Sequence, residues 1–109
     1  MRNGAKGGAF GGNLGWIDDV FRTIGGNVIR LRTGGGMSQE KLADKAGVGK
    51  STLQSIERGD PCTLLNLLKI AQVLAVNPAD LFLTKKDRDE ITYKTKLLVE
   101  KITEVLNLK

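Results

Sequence analysis

The sequence predicts an all-α protein: a five-helix domain, with an added short N-terminal helix before it and a long C-terminal helix after it. Apolar residues recur at three- and four-residue spacing along most of the chain, no strand-like alternation interrupts them, and glycines stand between the periodic stretches. A length of 109 residues with 40% hydrophobic content supports one modest core, which excludes a multidomain enzyme.

Residues 1–15 stand apart in composition. Glycine at positions 4, 7, 8, 11, 12 and 15 makes an ordered backbone entropically costly, so the segment reads as a flexible arm. Two readings remain open: a basic tail, with Arg2 and Lys6, that follows a nucleic-acid groove, or a disordered leader.

Residues 16–83 form the domain. Trp16, Ile17, Val20, Phe21 and Ile24 share a helical face that continues through Val28 and Leu31. The Gly25-Gly26 pair is expected to break it, giving a short leading helix over 16–22 and a first domain helix over 24–33 ended by Gly34, Gly35 and Gly36. Trp16 and Phe21 read as core anchors or a partner contact. Ser38 is an N-cap for a second helix with Leu42, Ala43 and Ala46 on its apolar side, and Gly47 stops it. Gly49 or Lys50 opens a third helix that buries Leu53 and Ile56 and ends at Gly59-Asp60-Pro61. Thr63 caps a fourth, in which Leu64, Leu67, Leu68, Ala71 and Leu74 repeat. Asn77-Pro78 then begins a short fifth helix expected to bury Leu81 and Phe82.

Residues 84–109 form the final helix, opened by the capping-box pattern Thr84 and Asp87. Ile91, Leu98 and Val105 lie seven apart, with Thr95, Ile102 and Leu106 beside them and lysines and glutamates flanking the stripe. A rod of ~35 Å exceeds what a small domain needs to cover its own core. Either it dimerises through Ile91, Leu98, Ile102 and Val105, or it folds back on Trp16, Phe21 and Phe82.

The chemistry on offer is narrow. Histidine is absent and Cys62 is the single cysteine, which removes His/Cys metal sites, Ser-His and Cys-His pairs and intramolecular disulfides. Neither catalysis nor a metal or cofactor is expected, and Cys62 reads as a small, partly buried apolar residue. Gly49-Lys50-Ser51 lacks the glycine spacing and the preceding strand of a phosphate-binding loop. No apolar run approaches the ~20 residues of a membrane span, and a cytoplasmic location is expected. A net charge of +5 favours a polyanionic partner.

The segment 39–58 meets the steric demands of two tightly cornered helices. Ala43 is small where the helices cross, and Gly47 accepts the left-handed corner. Val48, Leu53 and Ile56 close the inner face against Leu42 and Ala46. Lys50, Ser51, Thr52 and Ser55 are left outward, with donors and acceptors suited to base edges in a major groove. Gln39, at the start of the preceding helix, and Arg58, at the far end of the outward helix, are placed to hold phosphates.

These residues resemble the lambda repressor and Cro-type helix-turn-helix domains, the XRE-like family. The resemblance runs over 24–82 and is carried by Leu31-Arg32, Met37-Ser38-Gln39, Leu42-Ala43, Ala46-Gly47-Val48, Ser51-Thr52-Leu53, Ile56-Glu57-Arg58-Gly59 and Leu67-Leu68-Lys69-Ile70-Ala71. It implies a lambda-repressor-like DNA-binding domain in which Lys50, Ser51, Thr52 and Ser55 face bases and Gln39 and Arg58 lie on the DNA backbone. It further implies that Arg32 pairs with Glu57 and braces the first helix against the third. The expected partners are double-stranded DNA and a second copy of the chain, in a repressor acting on an inverted repeat. The alternative is a protein-interaction module, antitoxin or coactivator-like, built on the same fold. Gly49 departs from the Ser or Thr usual at the third helix's N-cap, and the triple glycine before Met37 is looser than usual.

Overall fold

In the computed structural model, which describes residues 14–107, the first apolar face lies on one uninterrupted helix, α1 (Gly15–Gly34). The glycine-rich arm therefore falls, up to Asn13, outside the described residues. The expected break at Gly25-Gly26 does not occur, and the separate short leading helix is the first part of α1. Helical glycines cost about 1 kcal/mol each relative to alanine. Ile24 and Val28, fully buried on either side of the pair, each contribute about 1.5–3 kcal/mol and outweigh that cost. Gly25 has a reason to be there: a Cβ on it would stand 2.5 Å from the Ile56 carbonyl oxygen and 2.9 Å from that of Glu57. What looks like a breaker is a contact surface.

Each later element begins and ends for a local reason. α1 stops where Gly36 turns to φ +71° and the Met37 amide donates to the Arg32 carbonyl over 3.0 Å. The Ser38 side chain accepts from the Lys41 amide at the start of α2 (Gln39–Ala46), and Gly47 at φ +70° ends it. α3 (Lys50–Arg58) starts from an extended Gly49 without a side-chain cap and ends at Gly59. Thr63 caps α4 (Leu64–Leu74). Asn77 caps a 3-10 turn, Pro78–Phe82, with Pro78 at its first position. The Thr84 and Asp87 side chains exchange bonds with each other's backbone amides, and α5 (Lys85–Asn107) follows.

The core gathers Ile24 and Val28 of α1, Leu42 and Ala43 of α2, Leu53 and Ile56 of α3, Leu67, Ile70 and Ala71 of α4, and Leu81. Three side chains expected inside lie outside. Leu64 and Leu68 are exposed because α4 turns its Leu67, Ile70 and Ala71 edge inward, and Phe82 is exposed because the single short 3-10 turn offers the core one position, taken by Leu81. Cys62 packs half-buried against the core, where loss of hydration pushes its thiol pKa up.

α5 buries none of its residues. Its stripe does not fold back on the domain: Ile91, Leu98, Ile102 and Val105 are all about half exposed or more.

Candidate nucleic-acid interface

The left-handed Gly47 corner sets α3 across α2, and Leu53 and Ile56, wholly buried, fix which side of α3 faces away. Lys50, Ser51 and Arg58 are exposed on that outer side; Thr52 and Ser55 are half-buried at its edges. Gln54, exposed three residues after Ser51 and four before Arg58, belongs to the same row. Its three- and four-residue spacing from Ser51 and Arg58 is the signal that marks it in the sequence.

Behind this surface lies a polar brace. Arg32 grips Glu57 with two parallel bonds, Nε to Oε2 at 2.7 Å and Nη2 to Oε1 at 2.9 Å, and donates a third to the Met37 carbonyl. The Glu57 side chain is 4% exposed. The hydrogen bonds that Arg32 donates to Glu57 raise the Arg32 pKa above its ordinary value, against the opposing pull of burial. Gln39 joins the brace by donating to Glu57 Oε1 over 2.8 Å. One carboxylate thus ties the end of α1, the start of α2 and the last turn of α3 together. Gln39 is held in one orientation at the mouth of α2, with its amide oxygen still able to accept.

Arg58 is placed differently. Its guanidinium lies along Ser55, donating to the hydroxyl, and pairs with Asp60 at 2.7 Å. Both members of that pair are largely exposed, so it is worth about 1 kcal/mol or less, and a phosphate oxygen makes a competitive substitute for the carboxylate. In the sequence Asp60 reads only as part of a helix terminator. Lys41 and Lys45 of α2 are exposed beside Glu40 and Asp44. Among the described residues no group of His, Cys, Asp or Glu is arranged to hold a metal ion, and no helix is long and apolar enough to cross a membrane.

Asn27, on the side of α1 turned away from Gly25, carries no local sequence signal. It is 4% exposed on α1, and its amide nitrogen donates to the Leu81 and Leu83 carbonyls, each over 2.8 Å. Its amide oxygen accepts from Arg88 Nη1 of α5 at 2.8 Å.

Known proteins carry the same arrangement. The helix-turn-helix family profile matches residues 28–81. The HTH-type transcriptional regulator y4dJ of Sinorhizobium fredii is 35% identical over 65 residues, covering 58% of this chain and 83% of that protein. The restriction-modification controller protein C.AhdI from Aeromonas hydrophila is similar in structure, with a TM-score of 0.55 at 38% identity, over 57% of this chain and 96% of its own. A chain of the SinR protein/SinI protein complex matches with a TM-score of 0.54 at 35% identity, over 74% of this chain and 80% of its own. With the glycine-cornered pair α2 and α3 and these relatives in view, the chain belongs to the lambda repressor/Cro-type (XRE-like) helix-turn-helix family of DNA-binding transcriptional regulators.

Proposed function

We propose that this regulator is a cytoplasmic homodimeric repressor that reads an inverted-repeat operator, one half-site for each copy of α3. The observation that supports base reading most directly is the two-sidedness of α3: Leu53 and Ile56 fully buried, and a continuous polar row opposite them. Lys50, Ser51, Thr52 and Ser55 face base edges, with Gln54 in the same row, while Gln39 and Arg58 bind phosphates on either side of the groove. Regulation follows from occupancy of the DNA, with no chemical step and no cofactor.

One recognition helix reads too few base pairs for useful selectivity, and symmetry supplies the second. The surface that favours a homodimer is the bare stripe Ile91, Leu98, Ile102 and Val105, between 49% and 62% exposed. Stripes of this size are seldom left in water by a monomer. Selection of bound sites from random duplex DNA tests the proposal in one step. Enriched sites are expected to be inverted repeats with centres about 10 base pairs, or a multiple, apart; enrichment of single half-sites alone refutes the dimer, and no enrichment at low salt refutes base reading.

A second reading rests on the same bare stripe and on the likeness to a chain of the SinR protein/SinI protein complex: a module, antitoxin or coactivator-like, whose α5 holds a different protein. It requires a stoichiometric foreign partner together with absence of DNA binding at low salt.

A further inference from the structure

We infer that Asn27 and Arg88 are positioning residues that set the spacing between the two half-sites. The inference rests on the homodimer reading above and adds what fixes the dimer's geometry.

α1 touches both the reading helix and the root of α5. Gly25 touches α3, with the Ile56 and Glu57 carbonyls so close that no side chain fits. Two residues on, Asn27 holds the far end of the domain through the Leu81 and Leu83 carbonyls and through Arg88. Residues two apart on a helix differ by about 200°, so the two contacts leave α1 on nearly opposite sides. About half a turn of one helix therefore separates the contact with the reading helix from the contact with the root of α5.

That root has few other ties. No residue of α5 is buried, and Arg88 Nη1 bonds both the Asn27 amide oxygen and the Leu83 carbonyl, at 2.8 Å and 3.1 Å. Arg30 Nη2 approaches the same Asn27 oxygen at 3.4 Å. All three Asn27 bonds of 2.8 Å end on Leu81, Leu83 or Arg88, the stretch where the chain turns from the 3-10 turn into α5. A buried amide with its donors and acceptor all engaged admits one arrangement, since rotating it leaves buried polar groups unmatched.

The lever makes small errors matter. From Arg88 to Val105, α5 extends about 26 Å, so a tilt of ~10° at its root moves the far end by about 4–5 Å relative to the domain. One base-pair step is ~3.4 Å. A loosened root therefore blurs the distance between recognition helices by a full step.

The test uses the intact chain and a DNA library in which the half-site sequence is held constant and the spacing varies. The wild type is expected to prefer one spacing by about tenfold or more over its neighbours one base pair away, a preference on the scale of one mismatched pair. Arg88→Ala, which removes a half-buried side chain outside the apolar core, is expected to flatten that preference to about twofold while selecting the same half-site sequence. A merely structural role lowers binding at every spacing alike, so an unchanged spacing preference in Arg88→Ala overturns the inference. Sedimentation of both proteins separates the two levels. A dimeric wild type whose spacing preference survives in the variant refutes the positioning role alone, whereas a monomeric wild type that binds single half-sites refutes the homodimer and the inference with it.

Discussion

A methyl group added at Gly25 collides with two α3 carbonyls, whereas one added at Gly26 meets nothing within 4 Å. Gly26→Ala is therefore expected to stabilise the domain by about 0.5–1 kcal/mol, through helix propensity alone. Gly25→Ala is expected to destabilise it by about 3 kcal/mol, because α1 and α3 must separate. Urea denaturation of the pair checks both signs at once, and a Gly25→Ala protein as stable as Gly26→Ala contradicts the close approach. Glu57 is the other residue on which the domain leans. Removing it by Glu57→Ala strands the Arg32 guanidinium beneath α3 and is expected to cost about 3–5 kcal/mol. Arg58 works at the surface, so Arg58→Ala should leave stability within about 0.5 kcal/mol. On the proposed backbone role it weakens every DNA sequence together and lowers the salt slope by about one. These three roles were not equally visible in the sequence: the resemblance implied the pairing of Glu57 with Arg32. Gly25 reads as a breaker because propensity is local and the Ile56 and Glu57 carbonyls that explain it lie over 30 positions on. The Arg58–Asp60 pairing hides inside a turn signal.

At the scale of elements, chain punctuation carried most of the fold. Ser38, Thr63, Asn77-Pro78 and the Thr84/Asp87 pair each sit where their hydrogen bonds require, because capping is a contract between residues two or three apart. The orientation of α5 was not legible, since Asn27 and Arg88 are 61 residues apart and neither follows a local pattern. Two elements lend themselves to measurement. α4 ends at Ala75, the one non-glycine with positive φ among the described residues, at +57°. Ala75→Gly relieves that strain and is expected to add about 0.5–1 kcal/mol after the entropy glycine adds to the unfolded chain, a rise of a few degrees in Tm. At the start of α5, bonds from the Thr84 amide and then its hydroxyl hold the Asp87 carboxyl below its usual range. A lowered folded pKa means that the cap helps at any pH above the unfolded value, near 4, and fails as pH falls through the lowered value. Loss of helix signal on acidification is therefore expected to include α5, and Asp87→Asn is expected to remove that component; identical acid profiles contradict it.

At the scale of the whole molecule, the chain divides into a domain that buries its own apolar face and a helix that does not. Hydrophobic periodicity announced both, because α5 carries its stripe as plainly as the buried helices carry theirs. Periodicity does not say whether a stripe meets its own domain, a twin or a stranger. In the homodimer reading, Leu98→Glu with Ile102→Glu alters only exposed positions and is expected to yield folded monomers by sedimentation, with loss of inverted-repeat binding. A double variant that sediments as the wild type does removes α5 from the interface.

In the proposed function, base reading rests on the outward row of α3. It is tested most directly by selecting sites from one random DNA library with the wild type, Lys50→Ala and Thr52→Ala side by side. Base readout requires each variant to lose its preference at particular positions of the half-site while retaining it elsewhere, by about 1–3 kcal/mol per contact. The same consensus from all three proteins, with affinity merely reduced, contradicts it.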